Sequence, residues 1–74
     1  MEIKVKLLGP LRNGRFTEKM VNYPSETLVK DILETLQIKQ RSFGIVLING
    51  KHARMESSLR EGDTLSVLPL LSGG

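Results

Sequence analysis

The 74-residue chain has no cysteine and no tryptophan, a single histidine, one tyrosine and two phenylalanines. Without cysteine there is no disulfide framework, no thiolate metal site and no thiol nucleophile. The sparse aromatics, Phe16, Tyr23 and Phe43, do not supply the interleaved aromatic and basic platform on which unpaired bases stack, so nucleic acid is not an expected partner. No apolar run approaches the length of a membrane span, and the first residues lack the apolar block of a secretion signal. A cytoplasmic protein with no membrane partner is expected.

Catalytic chemistry is equally poorly supplied. His52 follows a hairpin signal and reads as an exposed strand residue. Ser42, Ser57, Ser58 and Ser66 have no evident activating partner. Asp31 and Glu34 stand three residues apart beside Lys30, which describes a solvated helix face rather than an acid and base pair. The glycines spell neither a dinucleotide nor a nucleotide phosphate cradle. No catalytic residue, no metal site and no bound cofactor are therefore expected. The net charge of +3 is spread over mixed signs: Lys4, Lys6, Arg12, Arg15 and Lys19 make the first third more basic, and Glu56, Glu61 and Asp63 lie near the end. It reads as a solvated surface rather than a phosphate-binding patch.

What is present is a clear order of elements. Residues 2–8 alternate Ile3, Val5 and Leu7 against Glu2, Lys4 and Lys6, the period of a half-buried strand. Gly9-Pro10 interrupts it, Asn13-Gly14 supplies a tight turn, and residues 15–23 resume an extended pattern with Phe16, Met20 and Tyr23 as apolar anchors. From Leu28 the apolar positions Leu28, Val29, Ile32, Leu33 and Leu36 draw one stripe along a helix, with Thr27 or Ser25 as its N-cap and an end near residues 37–40. The run from Gly44 to Ile48 and the turn Asn49-Gly50 predict a strand and a short return over residues 51–54. Residues 64–69 form the last strand, Leu65 and Val67 sharing one face.

The expected fold class is α+β, in the order β-β-α-β-β-β, with a mixed sheet of four to five strands gripping one helix. The last strand must lie centrally to pair with the first. Residues 1–69 then form one domain and residues 70–74 a flexible tail beyond the sheet, ending in Gly73-Gly74. Glycine contributes nothing to rigidity, but two residues without Cβ make a thin thread able to bring a carboxylate into a narrow active site of another protein. Leu68, Leu70 and Leu71 either finish the core or form a docking patch.

The stretch Ile48-Asn49-Gly50, followed by the run from Leu59 to Gly74 (LREGDTLSVLPLLSGG), resembles the V-N-G and L-x-x-G-D-x-V-x-x-x-P-x-x-x-G-G pattern of the MoaD/ThiS family of ubiquitin-like sulfur carriers, β-grasp proteins that end in Gly-Gly. The likeness covers the whole chain. It implies that Gly74 carries a carboxylate that a ubiquitin-activating-type adenylyltransferase (MoeB- or ThiF-like) converts with ATP to an acyl-adenylate and then, with a persulfide donor, to a thiocarboxylate. It implies that Ser72, Gly73 and Gly74 insert into the partner and that Leu68, Pro69, Leu70 and Leu71 dock. Pro69 and the Ser-Gly-Gly ending are similar to the molybdopterin synthase small subunit, whose sulfur acceptor is the large, MoaE-like subunit. Three alternatives stay open: delivery to thiazole synthase or another sulfur pathway, a ubiquitin-like protein modifier joined to lysines through Gly74, and an RNA-associated β-grasp module suggested by the basic balance.

Overall fold

Alternation in the first segment is realised as read: β1 (Glu2–Leu7) turns Ile3, Val5 and Leu7 inward and leaves Glu2, Lys4 and Lys6 on the opposite face. The computed structural model describes residues 1–39 and 42–70. It continues with β2 (Glu18–Asn22), α1 (Val29–Thr35), β3 (Phe43–Ile48), β4 (Lys51–His52) and β5 (Thr64–Pro69). The strands form a five-stranded sheet in the order β2-β1-β5-β3-β4. β5 is central, parallel to β1 on one flank and antiparallel to β3 on the other, while β2 and β4 are antiparallel edges.

The helix stripe Val29, Ile32 and Leu33, continued by Ile38, packs on the inward side chains of β1, β3 and β5, with Leu11 and Leu59 also in the core. Among the described residues no polar side chain is buried. Hydrophobic burial, about 1.5–3 kcal/mol for each such side chain, is accordingly the main cohesive force of the domain.

Three local expectations are corrected. Asn13-Gly14 does form a turn, closed by Arg15 N–H donating to Arg12 O at 2.9 Å, but it does not join the first two strands directly. A 3-10 turn (Gly9–Arg12) precedes it and β2 begins only at Glu18. Met20 is not an anchor: it lies opposite Lys4 on the outer face and is 47% exposed, whereas Val21, opposite Ile3, packs against the core. A one-residue shift in reading a strand moves every side chain to the other face. The N-cap position is Leu28 rather than Thr27 or Ser25.

Several loop and side-chain groups close the helix ends in place of a hydroxyl cap. The Asp31 carboxylate accepts the Leu28 N–H at 3.0 Å, and Val29 and Lys30 donate to Ser57 O and Met55 O, each at 3.0 Å. Loop carbonyls thus take up donors that the first helical turn leaves free. The helix ends at Thr35. Gln37, with φ 57°, adopts the left-handed conformation. Its N–H donates to Glu34 O while Ile38 N–H reaches Leu33 O, a Schellman closure that also brings Ile38 onto the core. Arg15 completes this end, its guanidinium donating to Leu36 O, Gln37 O and Leu11 O at 3.1, 3.2 and 3.1 Å.

Tyr23, the only tyrosine of the chain, packs against the core just before α1. Burial raises its phenol above the ordinary value of 10.0, opposed by the Thr35 side chain. The folded state therefore holds this proton more tightly than the unfolded chain. Its contribution to stability is full below the unfolded value and is lost as pH rises through the folded one. As pH rises above the ordinary value of 10.0 the parent should lose more stability than Tyr23→Phe. Thermal unfolding measured alongside phenolate absorbance checks this, and equal losses would exclude Tyr23 as a source of alkaline sensitivity.

Candidate functional site

The two segments that carry the sequence motif meet at the start of β5. Asn49 and Gly50 turn the chain from β3 into β4 with φ of 53° and 82°, the paired left-handed conformation of a two-residue hairpin turn. The Asn49 amide then bridges to the other segment, its Nδ2 donating to Asp63 Oδ1 and its Oδ1 accepting Thr64 N–H, both at 2.9 Å. Asp63 Oδ2 accepts Arg60 N–H at 2.9 Å, and Asp63 O accepts Lys4 N–H at 3.0 Å. The N-G and L-R-E-G-D residues are thus one hydrogen-bonded clip that sets where β5 enters the sheet. Asn49→Ala removes two of these bonds and the side chain best suited to φ above zero, and should cost about 1–2 kcal/mol. Urea unfolding tests it; a loss below the error of the method would mean that the clip is not a structural determinant.

At its far end β5 outlasts β1. The last bond between them is Leu8 N–H to Val67 O at 3.1 Å, after which Gly9 turns β1's chain away with φ 58°. In a strand, successive residues direct their N–H groups to opposite flanks. Val67 faces β1, so Pro69 does too, and its missing N–H falls where β1 has already ended. The β3 flank continues further: Phe43 lies opposite Pro69, and Leu70 N–H approaches Ser42 O at 3.4 Å. Between Phe43 and Ile45 the register shifts, leaving Gly44 as the extra residue of a bulge.

The segment leaving the sheet is closely framed. A Cβ on Gly9 would stand 3.1 Å from Pro69 Cγ, and one on Gly44 would stand 3.1 Å from Leu70 Cα and 3.2 Å from Pro69 O. Of the expected docking residues, Leu68 points to the outer face opposite Ile45 instead of finishing the core, Pro69 is half-buried, and Leu70 is 58% exposed. Leu71, Ser72, Gly73 and Gly74 lie outside the described residues. Ile45 and the half-buried Leu47 extend the apolar surface of Leu68, and the sequence reading passed over both. Their signal was present in the run from Gly44 to Ile48, which is apolar at every second position on both faces. Gly9 and Gly44 were read as a strand break and a strand start, because close approach between distant segments leaves no local trace.

Nothing in the described residues assembles a catalytic centre. No group of three or more His, Cys, Asp or Glu side chains is placed to hold a metal ion there. His52 and the surrounding return strand are exposed, as read. An open depression of about 490 Å³ lined by Asn13, Arg15, Lys19 and Gln37, among others, presents two cations, but Arg15 is committed to three backbone carbonyls. No described helix is long and apolar enough to cross a membrane.

Five strands rolled around one helix, with the last strand central, define a ubiquitin-like β-grasp protein. The sequence profile of the ThiS family matches residues 5–74, and the chain belongs to that family. Its members are small ubiquitin-like carriers and not enzymes themselves. Similar solved structures include small archaeal modifier protein 1 from Haloferax volcanii, at 26% identity, full coverage of both chains and a TM-score of 0.78. The protein of the same name from Methanosarcina acetivorans matches at 28% identity over 99% of this chain and 96% of its own, with a TM-score of 0.71. A chain from the complex of subunits 1 and 2 of the molybdopterin-converting factor of Helicobacter pylori shares the fold at 21% identity, full coverage of both chains and a TM-score of 0.68.

Proposed function

We propose that this chain is a sulfur carrier whose working group is the carboxylate of Gly74. One observation carries the reading: the ThiS family match runs through Gly73 to Gly74, directly behind a strand held on both flanks. A carboxylate is a poor electrophile until one oxygen becomes a leaving group. Attack of the Gly74 carboxylate on the α-phosphorus of ATP, held by a MoeB- or ThiF-like adenylyltransferase, gives an acyl-adenylate and releases pyrophosphate. The chain has no cysteine, so the sulfur comes from another protein. The terminal sulfur of a persulfide attacks the acyl carbon, and AMP leaves with the electron pair of the broken C–O bond. A thiol then cleaves the S–S bond of the acyl disulfide, becoming part of a new disulfide while the Gly74 thiocarboxylate departs.

In this reading residues 1–69 are the domain that partners recognise and residues 70–74 the working tail. Ser72, Gly73 and Gly74 enter the partner's channel, while Leu68, Pro69, Leu70 and Leu71, joined by Ile45, dock at its mouth. The acceptor we favour is the MoaE-like large subunit of a molybdopterin synthase, supported by the likeness to a chain of the Helicobacter pylori complex. Thiazole synthase is the alternative acceptor. We place this chemistry in the cytoplasm, a reading consistent with its use of ATP.

The two small archaeal modifier proteins favour a second reading. In it the same acyl-adenylate is passed on to a lysine amine, and Gly74 ends in an isopeptide bond. Intact mass of the protein from its own host, or after incubation with ATP, an activating enzyme and a sulfur donor, decides between them. Replacement of one oxygen by sulfur, mapped to Gly74, is the carrier result. Gly74 recovered only in branched peptides is the modifier result. An unchanged mass, with the enzyme active on another carrier, removes the carrier reading and favours the modifier or the RNA-associated binding module.

A further inference from the structure

Two glycines far apart in sequence converge on the end of β5, Gly9 on Pro69 and Gly44 on Pro69 and Leu70. Gly9 closes β1 and Gly44 opens β3, and these strands flank β5 on opposite sides. Each leaves a space that a Cβ would fill, 3.1 Å from the Pro69 ring in one case and 3.1 Å from Leu70 Cα in the other. Their causes differ. Gly9 also has φ 58°, so its backbone alone disfavours other residues. Gly44 has no such conformation, and its requirement is the approach of Pro69 O and Leu70 Cα. These are backbone atoms, which cannot swing away as a side chain can. On that flank the bulge advances β3 by one residue, so that Leu70 N–H still meets Ser42 O.

We propose that Gly9 and Gly44 form a collar around Pro69 and Leu70 that fixes the direction in which the chain leaves the sheet, and that they are positioning residues for activation of Gly74. The inference rests on the carrier reading above. The outer face docks the domain, and the collar aims the thread relative to it. Pro69 suits this place because its ring fills the Gly9 side, its φ is fixed, and it has no N–H to leave unpaired where β1 has ended. A branched side chain at position 44 would push Leu70 off β3 and turn the thread while leaving the Leu68 and Ile45 side chains and the buried core in place.

The test uses the full chain with its activating enzyme, measuring ATP-dependent pyrophosphate release for the parent, Gly44→Val and Pro69→Ala. Misdirection of the thread should lower kcat, read at saturating carrier, at least about tenfold in both variants. Pro69 and Leu70 also dock, so KM is expected to rise as well, and the loss that saturation does not restore is the collar's signature. Residual dipolar couplings of the Leu70 amide should fit the alignment of the core in the parent and depart from it in Gly44→Val. Unchanged kcat in both variants, or Leu70 couplings that do not fit the core alignment of the parent, overturns the collar. Should Gly44→Val fail to fold, Pro69→Ala and the parent couplings decide alone. A parent chain that the enzyme cannot activate is failure of the carrier reading, and the Leu70 couplings then still judge the collar's geometry.

Discussion

Removal of Gly73 and Gly74 is expected to abolish ATP-dependent activation and to leave the thermal midpoint within about 2 °C of the parent. The buried core described here ends at Val67, so the domain loses none of it. The shortened chain, by contrast, presents a carboxylate about 7 Å short of its former reach and on Ser72, which carries a Cβ. Reacting groups must lie within a few tenths of an ångström of a productive geometry, and a displacement of 1 Å alone can lower a rate about a hundredfold. Gly74→Ala keeps the length and adds one carbon, so it should fall between the two. Pyrophosphate release by the truncated chain at the parent's rate would place the acyl site elsewhere and end the carrier reading.

The second large effect is on stability. Leu65→Ala should cost about 3–4 kcal/mol, the sum of lost transfer energy and the cavity left behind. Leu65 is fully buried, lies opposite Val5 on β1 and Ile48 on β3, and so ties both flanks of the sheet together. Small domains are stable by only about 5–15 kcal/mol in total, so this variant should be markedly less stable than the parent at ordinary temperature. Leu68→Ala, three residues along the same strand but on the outer face, should stay within about 1 kcal/mol of the parent while weakening partner binding. Urea denaturation of the pair checks both, and equal losses would mean that the faces of β5 are assigned the wrong way round.

Where one rule of local chemistry acts alone, the fold was legible before any coordinates. Strict alternation identified the inward face of β1, helical spacing identified Val29, Ile32 and Leu33, and the need to pair with the first strand led to a central last strand. The same dipeptide shows where local rules stop. Asn49-Gly50 takes φ above zero at both residues and joins two strands directly. Asn13-Gly14 has φ of −61° and 73°, a different turn inside a longer loop, with Arg15 drawn to the end of α1.

The candidate site divides along the same line. Leu68 and Leu70 could be named from their place in the chain, yet whether Leu68 faced inward depended on the register with β3. The helix start was missed because its first amides are satisfied by Met55 and Ser57 carbonyls, tertiary partners that make a side-chain cap unnecessary. Gly9 and Gly44 resist sequence reasoning for the most physical of reasons. What requires Gly44, and adds to the left-handed backbone at Gly9, is the passage of Pro69 and Leu70, encoded at the other end of the chain.

The parallel pairing of β1 with β5 also bears on how the molecule carries mechanical load. The amino end of β1 and the tail end of β5 lie at opposite extremes of one ladder, so tension drawn between them runs along the strands and stresses the rungs together. A hairpin pulled apart at its open end would instead lose its rungs one after another. β5 is gripped along its second flank by β3, which resists the same pull. A partner that reels in the tail therefore hauls on the interior of the sheet, where slippage requires many bonds to fail at once, and the domain serves as an anchor for its own thread.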